Sequence, residues 1–292
     1  MSLPEGGAPP ALFDRELVAR RYAARTHQGM DFVTSLVLGD LGERLAAITR
    51  RFDKALILGP DAALLPASGE TAGGPVAFAR LATLVEAPGI MSFNPEKPVL
   101  PGRGYDLVVS LLDLQIVDDV IAYLVNIRRA MRPDGLFIAA TLGGNSLTEL
   151  RQAWLAAEAE GRGGAATRVV PMLDVRAAGM LLQRAGFALP VTDVETHLVR
   201  YPDPLALMRE IKSLGASNPL REKPSIPATR SLLASAETHY GRLAAEPDGR
   251  VRATLEIVWL SGWTPDKSQQ KPLAPGSARS RLIDVLGDKS EG

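Results

Sequence analysis

The feature that most constrains this chain is a change of hydrophobic period that recurs along it. Residues 54–60 (KALILGP), 81–88 (LATLVEAP), 105–112 (YDLVVSLL) and 135–142 (GLFIAATL) are short, almost unbroken apolar runs, the pattern of strands buried on both faces. Between the last two lies DDVIAYLVNIRRAMRPDG (118–135), with apolar residues at helical spacing, Asp118 placed to cap its start, Arg128 and Arg129 in its last turn and Pro-Asp-Gly as a stop. Strand, helix, turn and strand in that rhythm indicate βαβ units and a parallel sheet, with right-handed crossovers placing helices on both faces.

The remaining segments fill in the organisation. Helical spacing predicts helices over 12–25, with Leu12, Phe13, Leu17, Val18 and Tyr22 on the apolar stripe, and over 32–50, 174–185, 203–215 and 228–245. Gly143-Gly144 opens a further helix that runs to about Glu160. Residues 187–202 and 250–263 alternate and are expected to form an antiparallel pair at the sheet edge. The Gly/Pro-rich stretch 1–11 reads as a disordered leader and 12–264 as a single domain. Within it, 12–52 supplies lid helices and 145–250 helical additions; 265–292 reads as a flexible extension.

Composition excludes several function classes. Lysine plus arginine (33) equals aspartate plus glutamate (33), so no net field recruits nucleic acid. There is no cysteine, and His27, His197 and His239 are too scattered for a local metal motif. No apolar run approaches the ~20 residues of a membrane span. Residues 1–12 lack the apolar core of a signal peptide. The location expected on these grounds is the cytoplasm.

Five segments carry a family resemblance: FDR (13–15), YDLVVSLLDLQIVDDV (105–120), IRRAMRPDGLFIAATLGGNSLTELR (127–151), RAGFALPVTDVETHLVRYPDPLALM (184–208) and SGWTPDKSQQKPLAPGSA (261–278). Together they resemble the complex I assembly factor 5 family, which is similar to the malonyl-carrier-protein methyltransferases. The resemblance implies a Rossmann-like class I methyltransferase fold: a mainly parallel seven-stranded sheet with an antiparallel edge pair and helices on both faces. It also implies S-adenosylmethionine as cofactor and a protein substrate or assembly partner. One mitochondrial member of the family hydroxylates an arginine of a complex I subunit.

Carried over residue by residue, the resemblance puts the cofactor at Gly59, Asp61, Glu86, Asn94 and Leu112. The turn after the first strand is normally G-x-G-x-G, because a Cβ there collides with the ligand. Here it reads Gly59-Pro60-Asp61-Ala62-Ala63, so only the first glycine is kept. Glu86 is either the acceptor for the ribose hydroxyls or an exposed turn carboxylate; Asn94 is either an adenine contact or a plain turn residue before proline. In 111–116 (LLDLQI) the family's polar and aromatic floor is missing, leaving Asp113 and Gln115 as the catalytic candidates. Asp14, Arg15, Glu149 and Arg151 are the candidate substrate contacts, each with a capping or surface role as its alternative. Two functions follow: a methyltransferase-like enzyme modifying a protein side chain, or a noncatalytic assembly protein whose cofactor turn has decayed.

Overall fold

The structure is a computed structural model that describes residues 11–26, 29–162, 164, 166–222 and 227–270. Leader residues 1–10, His27 and the extension from 271 lie outside the described residues. Among the described residues eight strands form one sheet: β1 (Ala55–Asp61), β2 (Ser68–Thr71), β3 (Gly74–Val85), β4 (Met91–Ser92), β5 (Tyr105–Leu111), β6 (Met131–Leu142), β7 (Ala188–Tyr201) and β8 (Val251–Trp263). Seven of them follow the order β4-β3-β1-β5-β6-β8-β7, and β2 adds a hairpin strand on the first part of β3. Strands β4, β3, β1, β5 and β6 are parallel, whereas β8 runs antiparallel to both β6 and β7. That is the expected doubly wound sheet with its antiparallel edge pair.

The described residues also form seven α-helices: α1 (Arg15–Ala23), α2 (Phe32–Ala46), α3 (Val120–Ala130), α4 (Thr148–Arg162), α5 (Val175–Arg184), α6 (Pro204–Ser213) and α7 (Arg230–Ala244). On one face α3 and α5 bury Tyr123, Leu124, Ile127 and Leu182 against Val108, Phe137 and Val258. On the other, Val37, Leu41 and Leu45 of α2 pack on Ile57, Val109 and Ile138; each such side chain contributes about 1.5–3 kcal/mol of burial. The additions α4 and α7 build a separate cluster around Trp154, Leu232 and Tyr240.

Two local departures matter for the site. The segment 62–73 contains Pro66, Gly69 and Gly73, which disfavour a helix, and the chain makes the β2–β3 hairpin instead. Consequently no helix N-terminus stands after β1, where nucleotide-binding α/β folds ordinarily present N–H groups to their ligand. The second departure corrects a capping assignment: Asp119, not Asp118, caps α3 by accepting from the Ala122 N–H at 2.8 Å. Asp118 instead accepts from the Leu12 and Phe13 N–H groups at 2.7 and 3.0 Å. This tethers the segment entering α1 to the carboxyl edge of the sheet.

Candidate functional site

The carboxyl ends of β1, β3 and β5 converge under α1, and the chemistry-bearing side chains gather there. Asp113 follows β5 and is fully buried, yet neither carboxylate oxygen has a hydrogen-bond partner among the described residues. Its nearest charge is the Arg15 guanidinium, 3.7 Å away. Burial pushes the Asp113 carboxyl upward, against the pull of Arg15 and of the Thr83 and Tyr123 hydroxyls. Tyr123, itself buried, is driven far above the ordinary phenol value by burial and by the Asp113 charge, and its hydroxyl shares a 2.9 Å hydrogen bond with Ser110. The Thr83 hydroxyl is a second buried group without a partner among the described residues.

Arg15 bridges this cluster to the backbone. Its guanidinium donates to the Ile116 carbonyl at 2.9 Å and to the Thr83 carbonyl at 3.2 Å. Asp14, directly before it, caps α1 by accepting from the Leu17 N–H at 3.0 Å. Leu112, between β5 and Asp113, has φ +53°, a left-handed conformation that L side chains rarely adopt, and its N–H donates to Ala140 at 2.8 Å. Gln115 is committed at both ends of its amide: Nε2 donates to the Leu112 carbonyl at 2.7 Å and Oε1 accepts from the Thr141 hydroxyl at 2.9 Å. It holds the loop, leaving no free end for a ligand.

The end of β1 is arranged differently. Asp61 is buried, accepts from the Ala63 N–H at 2.8 Å and is ion-paired with Arg25. Arg25 in turn lies over the Tyr22 ring, 4.4 Å from its centroid. A Cβ on Gly59 would stand 3.0 Å from both the Leu111 carbonyl oxygen and a Leu65 methyl. The cavity between Tyr22, Leu65, Leu111 and Leu112 measures about 30 Å³, the share of a single water in the liquid. The turn therefore does not fit the methionyl part of an adenosyl ligand in this arrangement: Leu65 fills the approach to Gly59, and Arg25 consumes the charge of Asp61. Glu86 is exposed just beyond β3, and the Asn94 side-chain oxygen accepts from the Glu96 N–H at 2.9 Å.

The second pair of substrate candidates turns inward. Glu149 is buried and accepts from the Thr254 N–H at 3.1 Å and the Thr254 hydroxyl at 2.5 Å, fastening α4 to β8. Arg151 donates to the carbonyls of Gly144 and Ser146 at 3.3 and 3.1 Å, holding the turn before α4. Gly143 is required there, because a Cβ would run into the Glu256 carboxylate. The sequence reading missed Thr83, Tyr123 and Arg25. Tyr123 sits at an apolar helical position and Thr83 within a strand run, so neither carried a signal of its own.

No family model matches the chain. It is 32% identical to the arginine-hydroxylase NDUFAF5, mitochondrial, of Rattus norvegicus, over 97% of this chain and 87% of that protein. The chain belongs to the NDUFAF5 family. The relative of Danio rerio is 36% identical, but the match covers 62% of this chain and 56% of that protein; against the Dictyostelium discoideum relative the chain spans 44% of its length. A malonyl-[acyl-carrier protein] O-methyltransferase of Laribacter hongkongensis is 35% identical over 65% of this chain and 61% of that protein. The fold is similar to that of the Bacillus YcgJ protein, with TM-score 0.51 and 10% identity over 80% of this chain and 99% of the other.

Membership in the NDUFAF5 family places the chain among relatives that are enzymes by name. It also corrects the cytoplasmic expectation, which rested on a missing signal peptide: the NDUFAF5 relatives are mitochondrial by name. No helix among the described residues is long and apolar enough to cross a membrane.

Proposed function

We propose that this chain is an S-adenosylmethionine-dependent, methyltransferase-like enzyme that modifies an arginine side chain of a protein partner during assembly of respiratory complex I. The observation that carries the reading is the Asp113 carboxylate. It is buried at the end of β5, carries no hydrogen bond among the described residues, and stands at the sheet edge where open α/β folds bind ligands. An unsatisfied carboxylate at such a place is costly to maintain, and a guanidinium is the group it complements best. The family relatives, named as arginine hydroxylases, supply the acceptor.

The chain's own residues would act by placement. Asp113 orients the guanidinium; Thr83 and Tyr123 stand beside that carboxylate with hydroxyls that stabilise its charge. Leu112, held in its left-handed conformation, shapes the floor between β1 and β5. With Leu65 and Arg25 withdrawn from the turn at Gly59, an adenosyl ligand held there would supply the activated group. Gly59, Glu86 and Asn94 remain its candidate contacts.

The test is a thermal shift with S-adenosylmethionine and S-adenosylhomocysteine, paired with mass spectrometry of the co-expressed partner. Ligand at 100 times its dissociation constant adds about 2.7 kcal/mol, and the partner's arginine gains one methyl group from the ligand or, with dioxygen and a reductant supplied, one oxygen. The filled turn favours a second reading, a noncatalytic assembly protein. Absence of any shift at millimolar ligand, with the partner unmodified, would establish that reading instead.

A further inference from the structure

Arg15 occupies an arrangement that looks like a seat for a foreign guanidinium. Its two terminal nitrogens meet two main-chain carbonyls, Ile116 at 2.9 Å and Thr83 at 3.2 Å, while the Asp113 carboxylate faces it at 3.7 Å. That last distance is longer than a bidentate arginine–carboxylate pair, which closes at about 2.7–2.9 Å. Both Asp113 oxygens and the Thr83 hydroxyl thus retain unused capacity in a buried place. A guanidinium approaching more closely would satisfy them; Arg15, fixed on α1, does not.

The surroundings favour a cationic visitor. Thr83 and Arg15 line a cavity of about 700 Å³ that opens beside α1. Five carboxylates border it, from Asp14, Glu16, Glu96, Asp118 and Asp119, against the two arginines Arg15 and Arg221. Several of these acids also accept from backbone N–H groups. A field of that sign draws in an arginine side chain.

We infer that the Thr83 carbonyl, the Ile116 carbonyl and Asp113 form the seat for the acceptor guanidinium, and that Arg15 is an internal occupant that the acceptor must displace. This rests on the arginine-directed reading proposed above and adds to it a built-in competitor. The lid segment is suited to exchange. Arg15 itself reaches the sheet only through its side chain, although α1, nine residues long, is also anchored by Val18 in the core and by the Asp118 tether at its start. Displacing Arg15 tilts α1 away, and the same segment carries Arg25, whose release would open the turn at Gly59.

The experiment titrates the full chain with the peptide acetyl-Gly-Arg-Gly-amide, using the citrulline peptide as control, and reads binding by calorimetry. Arg15→Ala and Arg15→Gln should each bind the arginine peptide at least tenfold more tightly than the unaltered chain, with no gain for citrulline. Adding Asp113→Asn to either should abolish the gain. Affinities within twofold of the unaltered chain overturn the inference. So does failure of both variants to fold, because an occupant that cannot leave is not exchangeable. A protein that binds S-adenosylhomocysteine but gains nothing from Arg15→Ala loses this inference alone. The reverse pattern, a peptide gain without adenosyl binding, retains the seat and removes the cofactor reading.

Discussion

The ends of β1 and β5 lie side by side in one sheet and treat their polar groups in opposite ways. At β1, Asp61 is paired with Arg25 and bonded to the Ala63 N–H, Leu65 packs over Gly59, and the residual cavity is about 30 Å³. At β5, Asp113 is more deeply buried, with Arg15 at 3.7 Å and the Thr83 and Tyr123 hydroxyls nearby but no ordinary hydrogen bond among the described residues, Leu112 is held at φ +53°, and Thr83 and Arg15 line a cavity of about 700 Å³. The first end is satisfied and closed. The second keeps unmet hydrogen-bonding capacity and backbone strain, features that persist when a site trades stability for function.

That contrast predicts opposite responses to substitution. The largest effect belongs to Arg25→Ala, which strands a buried Asp61 and should destabilise the fold by about 2–3 kcal/mol, less than a wholly buried pair because Arg25 retains some exposure. Urea denaturation measures it, and adding Asp61→Asn should recover most of the loss. If Arg25→Ala is neutral, the end of β1 is not the settled structure described above.

Asp113→Asn should act in the other direction. Burial holds the Asp113 carboxyl above its unfolded value. The folded state therefore retains its proton longest. Its contribution is intact below the ordinary carboxylate pKa and declines as pH rises through the raised folded pKa. Removing the charge should thus stabilise the protein by about 1 kcal/mol near neutral pH, with the gain vanishing toward roughly pH 4. Thermal denaturation across that range decides it. A uniform loss at every pH would make Asp113 a structural residue like Asp61.

The smallest change is expected for Leu112→Gly. Relief of the positive φ offsets the lost side-chain packing, so stability should move by less than about 1 kcal/mol in either direction. A chemical-denaturation loss well above that would mean that packing, rather than strain, sets the conformation at this edge.

The sequence carried much of the sheet. Apolar runs placed β1, β5 and β6 within a few residues, and alternation placed β7 and β8, because strand burial writes itself directly into residue order. Helical spacing likewise placed α5 and α6, whose starts Asp174 and Asp203 cap in the structure. The hairpin strand β2 was not legible, since SGET has little apolar content and its pairing depends on a partner brought alongside by a Gly-Gly turn. The one-residue shift from Asp118 to Asp119 was equally hidden, because two adjacent aspartates offer the same cap and a contact with residues 12 and 13 chooses between them.

For the site, the sequence set beside its family resemblance marked Gly59 as standing without its companion glycines and Asp113 and Gln115 as the polar groups left after the fourth parallel strand in the βαβ series. Only the tertiary structure separated those two, binding Gln115 at both ends and leaving Asp113 bare. It also brought Arg15 and Arg25 from one short lid onto two different strand ends. The physical reason is that periodicity encodes which face of an element is buried, whereas a charge's partner is fixed by where distant segments meet after the core has formed.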